Sequence, residues 1–185
     1  MNTTLASTIW RYSENSLAGK ALLAVGGTVL LAISAKVQVP FWPVPMTMQT
    51  FVVLILGIAY GSRLGASTGA LYLVEGAVGL PVFAKGAGMA YLIGPTGGYL
   101  LGFVIAMYVV GLLAEKHWDR SVMGIIGAML IGEIIIFVLG VGWLATIIGF
   151  SKAIAGGLTP FLFAELFKMA LGASTVPFFW RYLTR

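Results

Sequence analysis

Long apolar runs follow one another along this chain of 185 residues, and few charged residues separate them. Of all residues, 59% are apolar and 9% are charged, whereas soluble domains carry roughly 25% charged residues. A soluble core of this size cannot bury so much apolar surface, so the bilayer is the expected solvent. The runs therefore predict an all-α membrane protein.

Helix length decides how the runs divide. The run 44–79 is interrupted only around Gly61-Ser62-Arg63. As one helix it would be about 54 Å long, far more than a hydrocarbon core of about 30 Å, so it must fold back on itself. A cleaved signal peptide is the less favoured alternative for the first run, which is long enough to span. The sequence predicts a single membrane domain, residues 1–185, with six transmembrane helices at 17–35, 47–60, 64–78, 97–114, 122–141 and 161–180.

The basic residues predict the orientation. Six crossings place both termini on one side, and seven basic residues fall with the termini and the even loops, against three in the odd loops. The positive-inside rule therefore predicts that both termini are cytoplasmic. The loops with Pro45, Lys85 and Pro95 are then expected to face outward. The seven are Arg11, Lys20, Arg63, Lys116, Arg120, Arg181 and Arg185, and the three are Lys36, Lys85 and Lys152.

Composition and motifs exclude several functions. Cysteine is absent and His117 is the single histidine, which excludes thiol and Ser-His catalysis and a thiolate or histidine metal site. We expect no metal, no cofactor and no enzyme, although embedded carboxylates can act as acid and base. The basic residues are spread between apolar runs, so nucleic acid is not an expected partner. The chain has no Gly-x-x-x-x-Gly-Lys-Ser/Thr motif, so any ATPase that drives transport must be a separate chain.

Two loops between apolar runs are dense in glycine and proline. They read Leu80-Pro81-Val82-Phe83-Ala84-Lys85-Gly86 and Gly94-Pro95-Thr96-Gly97-Gly98-Tyr99. Glycine lets the main chain approach a ligand closely, so the loops are candidates for a ligand cap. Together with Pro45-Met46-Thr47-Met48-Gln49-Thr50, they make the chain resemble the BioY family of biotin transporters, over residues 21–173.

The resemblance implies a fold and a set of partners. The fold would be the bundle of a substrate-binding (S) component of an energy-coupling-factor (ECF) transporter, which captures biotin with high affinity in the bacterial cytoplasmic membrane. A transmembrane coupling subunit and two ATPase subunits would be its partners. A self-sufficient biotin carrier that works without ATPase subunits is the alternative, and the sequence leaves both open.

Two charges of opposite sign lie within the sixth predicted helix. An embedded charge costs roughly 2.5–3.5 kcal/mol on insertion scales, so each needs a reason. Glu165 and Lys168 are three residues apart and share a helix face. A pair that merely neutralises itself is the alternative. For the biotin that the resemblance implies, Glu165 would accept from the ureido N–H groups and Lys168 would donate to the ureido carbonyl. The family commonly has Asp-x-x-Lys here, and this chain has Glu-x-x-Lys.

Further residues complete the predicted substrate site. Gln49 is an amide at the start of the second helix, with helix capping as its alternative role. Lys85 is a candidate partner for the valerate carboxylate of biotin, or an ordinary solvated cation. The other candidates are Tyr91, Tyr99, Phe83 and Trp42 as apolar walls or interfacial anchors, and Tyr72 and Glu75 near the outer end of the third helix. Glu133 is an embedded carboxyl group of the fifth helix, outside the predicted substrate site, for which a proton-coupling role is left open.

Small residues at four-residue spacing allow helices to approach closely in lipid. Two such series are present: Gly57, Gly61, Gly65 and Gly69, and Ala24, Thr28 and Ala32. For the glycine series, internal packing is the better interpretation. For the series on the first helix, the resemblance implies a face that docks to the coupling subunit, and internal packing is the alternative.

Overall fold

The computed structural model describes residues 16–183, with side chains as far as residue 177. Arg11 and Arg185, and the side chain of Arg181, lie outside this part. The helices are α1 Leu17–Lys36, α2 Gln49–Ala77, α3 Met89–Leu92, α4 Gly97–Glu115, α5 Val122–Ile148, α6 Phe150–Gly157 and α7 Leu162–Leu183. A short antiparallel ribbon joins β1 Gln38–Val39 to β2 Met46–Thr47. Single 3₁₀ turns occupy Trp118–Arg120 and Thr159–Phe161.

Five helical stretches in the described part are long and apolar enough to cross a membrane. Many of their large apolar side chains point outward, Ile33 and Ile134 among them. A helix that exposes such side chains is expected to face lipid rather than water. The stretches are Leu17–Lys36, Gln49–Ala77, Gly97–Glu115, Val122–Ile148 and Phe150–Pro177.

α2 is a hairpin of two helical arms rather than one straight helix. Gly61 has φ 78° and ψ 179°, outside the helical region, and only glycine adopts this conformation readily. The Nε2 of Gln49 donates to the Tyr72 hydroxyl over 2.7 Å, although a straight helix would separate these residues by about 35 Å. The two arms therefore lie side by side. The predicted fold-back is confirmed.

The second arm of the hairpin begins against the end of α4. The backbone N–H and the hydroxyl of Ser62 both donate to Glu115 Oε1, at 2.7 and 2.8 Å. A carboxylate is a favourable partner for the exposed N–H groups at a helix start. The Tyr60 hydroxyl donates to the Leu23 carbonyl, which holds the same turn near the first half of α1. The hairpin turn, the start of α1 and the end of α4 thus share one end of the bundle.

The glycine series packs inside the bundle, as predicted. A Cβ at Gly57 would lie 3.1 Å from Met107 Cα, and one at Gly69 would lie 3.3 Å from Val104 Cα. Both are backbone atoms of α4, so the glycines let α2 and α4 meet closely. α5 then packs on α4, and α7 on α5.

The fifth helix is longer than predicted. It continues to Ile148 rather than ending at residue 141. Glycines near a run end suggest a helix stop, but here Gly140 lies against the Tyr99 ring, where a Cβ would overlap it. Packing therefore explains this glycine. The short helices α3 and α6 are also additions to the prediction. Nothing in the fold itself determines which side is cytoplasmic, so the orientation stays a prediction.

Candidate functional site

A pocket opens at the end of the bundle opposite the Gly61 turn. The empty space between its lining atoms, together with open solvent at the mouth, is about 490 Å³. Its walls are mostly apolar, with a few polar groups from β2, α2, α7 and the loop before α4. The apolar part is Val44, Pro45, Ala84, Tyr91, Tyr99, Leu100, Phe103, Phe137 and Phe161, and the polar part is Thr47, Gln49, Thr50, Thr96 and Glu165.

Glu165 and Lys168 form a buried ion pair at the pocket. The Lys168 Nζ is 2.8 Å from Glu165 Oε1, and each residue is 4% exposed. Glu165 lines the pocket directly, and Lys168 lies behind it. The same ammonium also donates to the Thr47 carbonyl at 2.7 Å and to the Thr50 hydroxyl at 2.9 Å. An ammonium has three N–H donors, so Lys168 uses all of them within the chain.

Thr50 connects the ion pair to α2. Its hydroxyl donates to Glu165 Oε2 over 2.8 Å while it accepts from Lys168. Each oxygen of the Glu165 carboxylate therefore has a protein donor. Thr47 contributes twice: its carbonyl accepts from Lys168, and its hydroxyl accepts from the Gln49 backbone N–H at the start of the helix. Sequence reasoning quoted both threonines as part of a motif but assigned them no role. Their three-residue spacing beside Gln49 was the available signal.

Gln49 lines the pocket and is held from behind. Its Nε2 donates to the Tyr72 hydroxyl, which donates in turn to the Val82 carbonyl at 2.8 Å. This chain of bonds joins both arms of the hairpin to the loop 80–88. The alternative role for Gln49 was capping of the helix start. Thr47 has that role instead, because its hydroxyl accepts from the Gln49 backbone N–H. Tyr72 supports the site from the second layer rather than lining it.

The predicted aromatic walls divide into two layers. Tyr91 and Tyr99 line the pocket. Phe83 is fully buried behind Tyr91, with ring centroids 5.0 Å apart and planes at 18°. It lies over Gly76, where a Cβ would overlap its ring. Trp42 is 82% exposed and is not part of the wall.

The glycine-rich loops are tied down on both sides of the pocket. Lys36 Nζ donates to the Phe83 carbonyl at 2.6 Å. The Trp143 indole donates to the Gly94 carbonyl at 2.9 Å. The Tyr99 hydroxyl donates to the Gly157 carbonyl of α6 at 2.8 Å. Ala84 and Thr96 from these loops reach the pocket wall, which is consistent with the predicted cap.

Of the two remaining predicted site residues, one lies beside the pocket wall and the other lies elsewhere. Lys85 is an exposed loop cation that follows the lining residue Ala84. Glu75 faces α1, where its Oε1 accepts from the Thr28 hydroxyl over 3.0 Å. The structure therefore moves Glu75 from the substrate site to the packing between α1 and α2. Among the described residues, no three side chains of His, Asp or Glu come together in a way that would hold a metal.

The small-residue face of α1 packs against α2. Ala24 is 8% exposed and Thr28 is 2% exposed, and Ala32 is partly buried against the core. Next to them, a Cβ at Gly27 would lie 2.6 Å from Thr68 Cγ2 of the second arm. Internal packing, the alternative interpretation, is what the structure shows for Ala24 and Thr28. Docking of a partner through this face would require α1 to separate from α2.

Comparison with known proteins assigns the chain to a family. The family model described as BioY family matches residues 3–185. The chain belongs to the BioY family. A BioY relative from Thermotoga maritima, described as biotin transporter BioY, is 40% identical over 148 residues, which cover 79% of this chain and 86% of that protein. A probable biotin transporter BioY from Pyrococcus horikoshii is 37% identical over 143 residues, or 76% and 83% of the two chains.

A solved structure supports the BioY fold independently. It is the S-component for biotin from an ECF-type ABC transporter, and it superposes with a TM-score of 0.75 over 89% of this chain and 92% of that one. The two sequences are 22% identical, so this likeness concerns the fold alone. The predicted S-component-like bundle of a multi-pass membrane protein is confirmed. The named relatives are transporters, in agreement with the prediction of a transport protein rather than an enzyme.

Proposed function

We propose that this chain captures biotin and carries it across the cytoplasmic membrane as the substrate-binding subunit of an ECF-type transporter. The observation that carries the proposal is the buried Glu165 carboxylate in the wall of an otherwise mostly apolar pocket. Biotin has the complementary structure, with a polar ureido group at one end of an apolar ring and chain. The relative described as biotin transporter BioY supports the same ligand.

The contacts suggest how the ureido group is recognised. Glu165 is the acceptor for a ureido N–H group, as predicted from its charge. Lys168 has a different role from the predicted one, because Thr47, Thr50 and Glu165 take its three N–H bonds. The second N–H on Gln49 Nε2 is the better donor to the ureido carbonyl, since an amide nitrogen has two and Tyr72 takes one.

The apolar part of the pocket suits the rest of the ligand. Phe137 and Phe161 meet edge to face, with ring centroids 5.8 Å apart, and both line the pocket beside Phe103. Such walls complement a thioether ring and an aliphatic chain. Lys85 stays the predicted partner of the valerate carboxylate, because it is exposed next to the lining residue Ala84 at the outer end.

Binding of labelled biotin to the purified protein in detergent tests the proposal directly. We expect saturable binding that unlabelled biotin displaces and that lipoate and thiamine do not. Lipoate controls for the acyl chain and the carboxylate, because it lacks the ureido group that Glu165 would recognise. Preference for lipoate or thiamine would remove biotin as the ligand.

A transmembrane coupling subunit and two ATPase subunits are the proposed partners. The chain itself has no phosphate-binding Gly-x-x-x-x-Gly-Lys-Ser/Thr motif, so ATP-driven uptake needs other chains. Co-purification with the ATPases, together with uptake that stops when they are deleted, is the expected result. Undiminished biotin uptake in cells without any such ATPase would favour the self-sufficient carrier instead.

Replacing Thr50 with valine should weaken biotin binding by about threefold to tenfold. Valine keeps the volume of threonine but removes the hydroxyl that holds Glu165 Oε2 and accepts from Lys168. Equilibrium binding in detergent measures the effect. Thr146→Val is the matched control, because Thr146 is exposed and its hydroxyl bonds only within its own helix turn, to Trp143. If the two variants bound biotin with equal affinity, Thr50 would have no role in ligand recognition.

A further inference from the structure

Glu133 is a buried carboxyl group that the proposed recognition of biotin does not use. It lies in the middle of α5 and is 5% exposed. Among the described residues, no donor bonds to either of its side-chain oxygens. Its neighbour Gly132 packs so closely against Leu54 of α2 and Val110 of α4 that a Cβ there would meet both side chains. A buried carboxyl group needs a hydrogen-bond partner, and because Glu133 is so little exposed that partner is expected within the protein.

The charged groups near Glu133 come from α7. Glu133 interacts electrostatically with Glu165 and Lys168, while Leu54 of α2 and Val110 of α4, which pack against the adjacent Gly132, are apolar. The cluster thus contains two carboxyl groups and one ammonium. All three donors of that ammonium are already bonded to Thr47, Thr50 and Glu165. Lys168 therefore neutralises Glu165 and has no bond left for Glu133.

Charge balance decides the state of the cluster. Two ionised carboxylates beside one ammonium would leave a net negative charge in a buried, membrane-embedded site, which is strongly unfavourable. Two carboxylates also cannot hydrogen-bond to each other, because neither has a hydrogen to donate. One proton shared between them removes both problems at once. The proton belongs on Glu133, because Glu165 already accepts from Lys168 and Thr50.

We propose that Glu133 holds a proton, donates it in a hydrogen bond to the Glu165 carboxylate, and so acts as a positioning residue for the ligand pocket. This inference rests on the proposed function for the identity of the ligand. Glu165 then has three protein donors, from Lys168, Thr50 and Glu133. A carboxylate has about four acceptor positions, so one remains for an N–H group of the ligand. The pocket therefore selects ligands that carry a hydrogen-bond donor.

Biotin binding should depend on pH through the proton on Glu133. When alkaline pH removes the Glu133 proton, a second negative charge arises beside Glu165, and Lys168 is the single cation near it within the described part. Glu165 then loses a donor and is repelled. Biotin affinity should fall with rising pH in the wild type. In Glu133→Gln the amide cannot lose its proton, so the fall should begin at higher pH.

Infrared spectroscopy of the ligand-free protein tests the proton directly. We expect a carbonyl stretch of a protonated carboxylic acid at neutral pH, lost at alkaline pH and lost in Glu133→Gln. Absence of this band in the wild type, or its persistence in Glu133→Gln, would overturn the inference. This readout requires neither biotin nor a folded apolar variant. If the wild type showed the band but bound no biotin, the proton on Glu133 would be supported and biotin would be excluded as the ligand.

Binding then tests the positioning role. Glu133→Leu should weaken biotin binding about tenfold, and Glu133→Gln, which keeps an N–H donor for Glu165, should recover most of that loss. Affinity is measured from neutral to alkaline pH for the wild type and for Glu133→Gln. A shifted alkaline limb in Glu133→Gln supports the inference. Superimposable pH profiles, or a Glu133→Gln variant as weak as Glu133→Leu, would refute it.

Discussion

Replacing Lys168 with alanine should lower biotin binding at least about tenfold, and by more than Thr50→Val does. The reason differs from a lost contact to the ligand. Removal of the ammonium leaves Glu165 in a 4%-exposed site without its counter-charge, and removing one partner of a buried pair is strongly unfavourable. Equilibrium binding of labelled biotin to the purified variant measures the loss.

Two further variants make this result specific. Lys168→Arg should rescue little, because a planar guanidinium does not reproduce three bonds directed from one nitrogen to Thr47, Thr50 and Glu165. Lys152→Ala on α6 is the matched control, since it removes the same charge from an exposed position. A folded Lys168→Ala variant with wild-type affinity, or an equal loss in Lys152→Ala, would exclude Lys168 from the support of the site.

The fold could be predicted largely because membrane helices are specified by length. The run 44–79 is too long for one crossing, and Gly61 is the residue at which the backbone leaves the helical region. The end of α5 was harder to predict. The sequence around a glycine looks the same whether that glycine ends a helix or packs against an aromatic ring. The difference lies in Tyr99, which is 41 positions before Gly140 in the chain.

The candidate site could be predicted where a residue is unusual for a membrane. Glu165 and Gln49 are polar within apolar runs, and both line the pocket. Phe137 and Phe161 were missed, because an aromatic side chain that lines a pocket resembles one that faces lipid. The hydrogen bonds of Lys168 could not be predicted from the sequence either, because its partners Thr50 and Thr47 are 118 and 121 positions away in the chain. Tertiary packing decides such contacts.

Replacing Gly111 with alanine should destabilise the bundle by about 1–3 kcal/mol, although alanine favours helices over glycine. A Cβ at Gly111 would overlap backbone atoms of Gly61 and Ser62 and lie 2.6 Å from Ser62 Cα. Backbone atoms at a tight turn cannot move aside as a flexible side chain can. α4 must therefore retreat from the hairpin turn, which also strains the bonds from Ser62 to Glu115. The apparent midpoint of thermal unfolding in detergent should fall by roughly 3–10 °C.

Gly142→Ala provides a control of the opposite sign. Gly142 lies in α5, and no atom lies within 4 Å of a Cβ built there. Alanine at this position relieves the cost of glycine in a helix, about 1 kcal/mol, without a clash. Its midpoint should stay constant or rise. If Gly111→Ala also raised the midpoint, the close approach of α4 to the Gly61 turn would be wrong. Because the pocket opens at the other end of the bundle, folded Gly111→Ala should still bind biotin. Its binding therefore distinguishes a destabilised bundle from a damaged site.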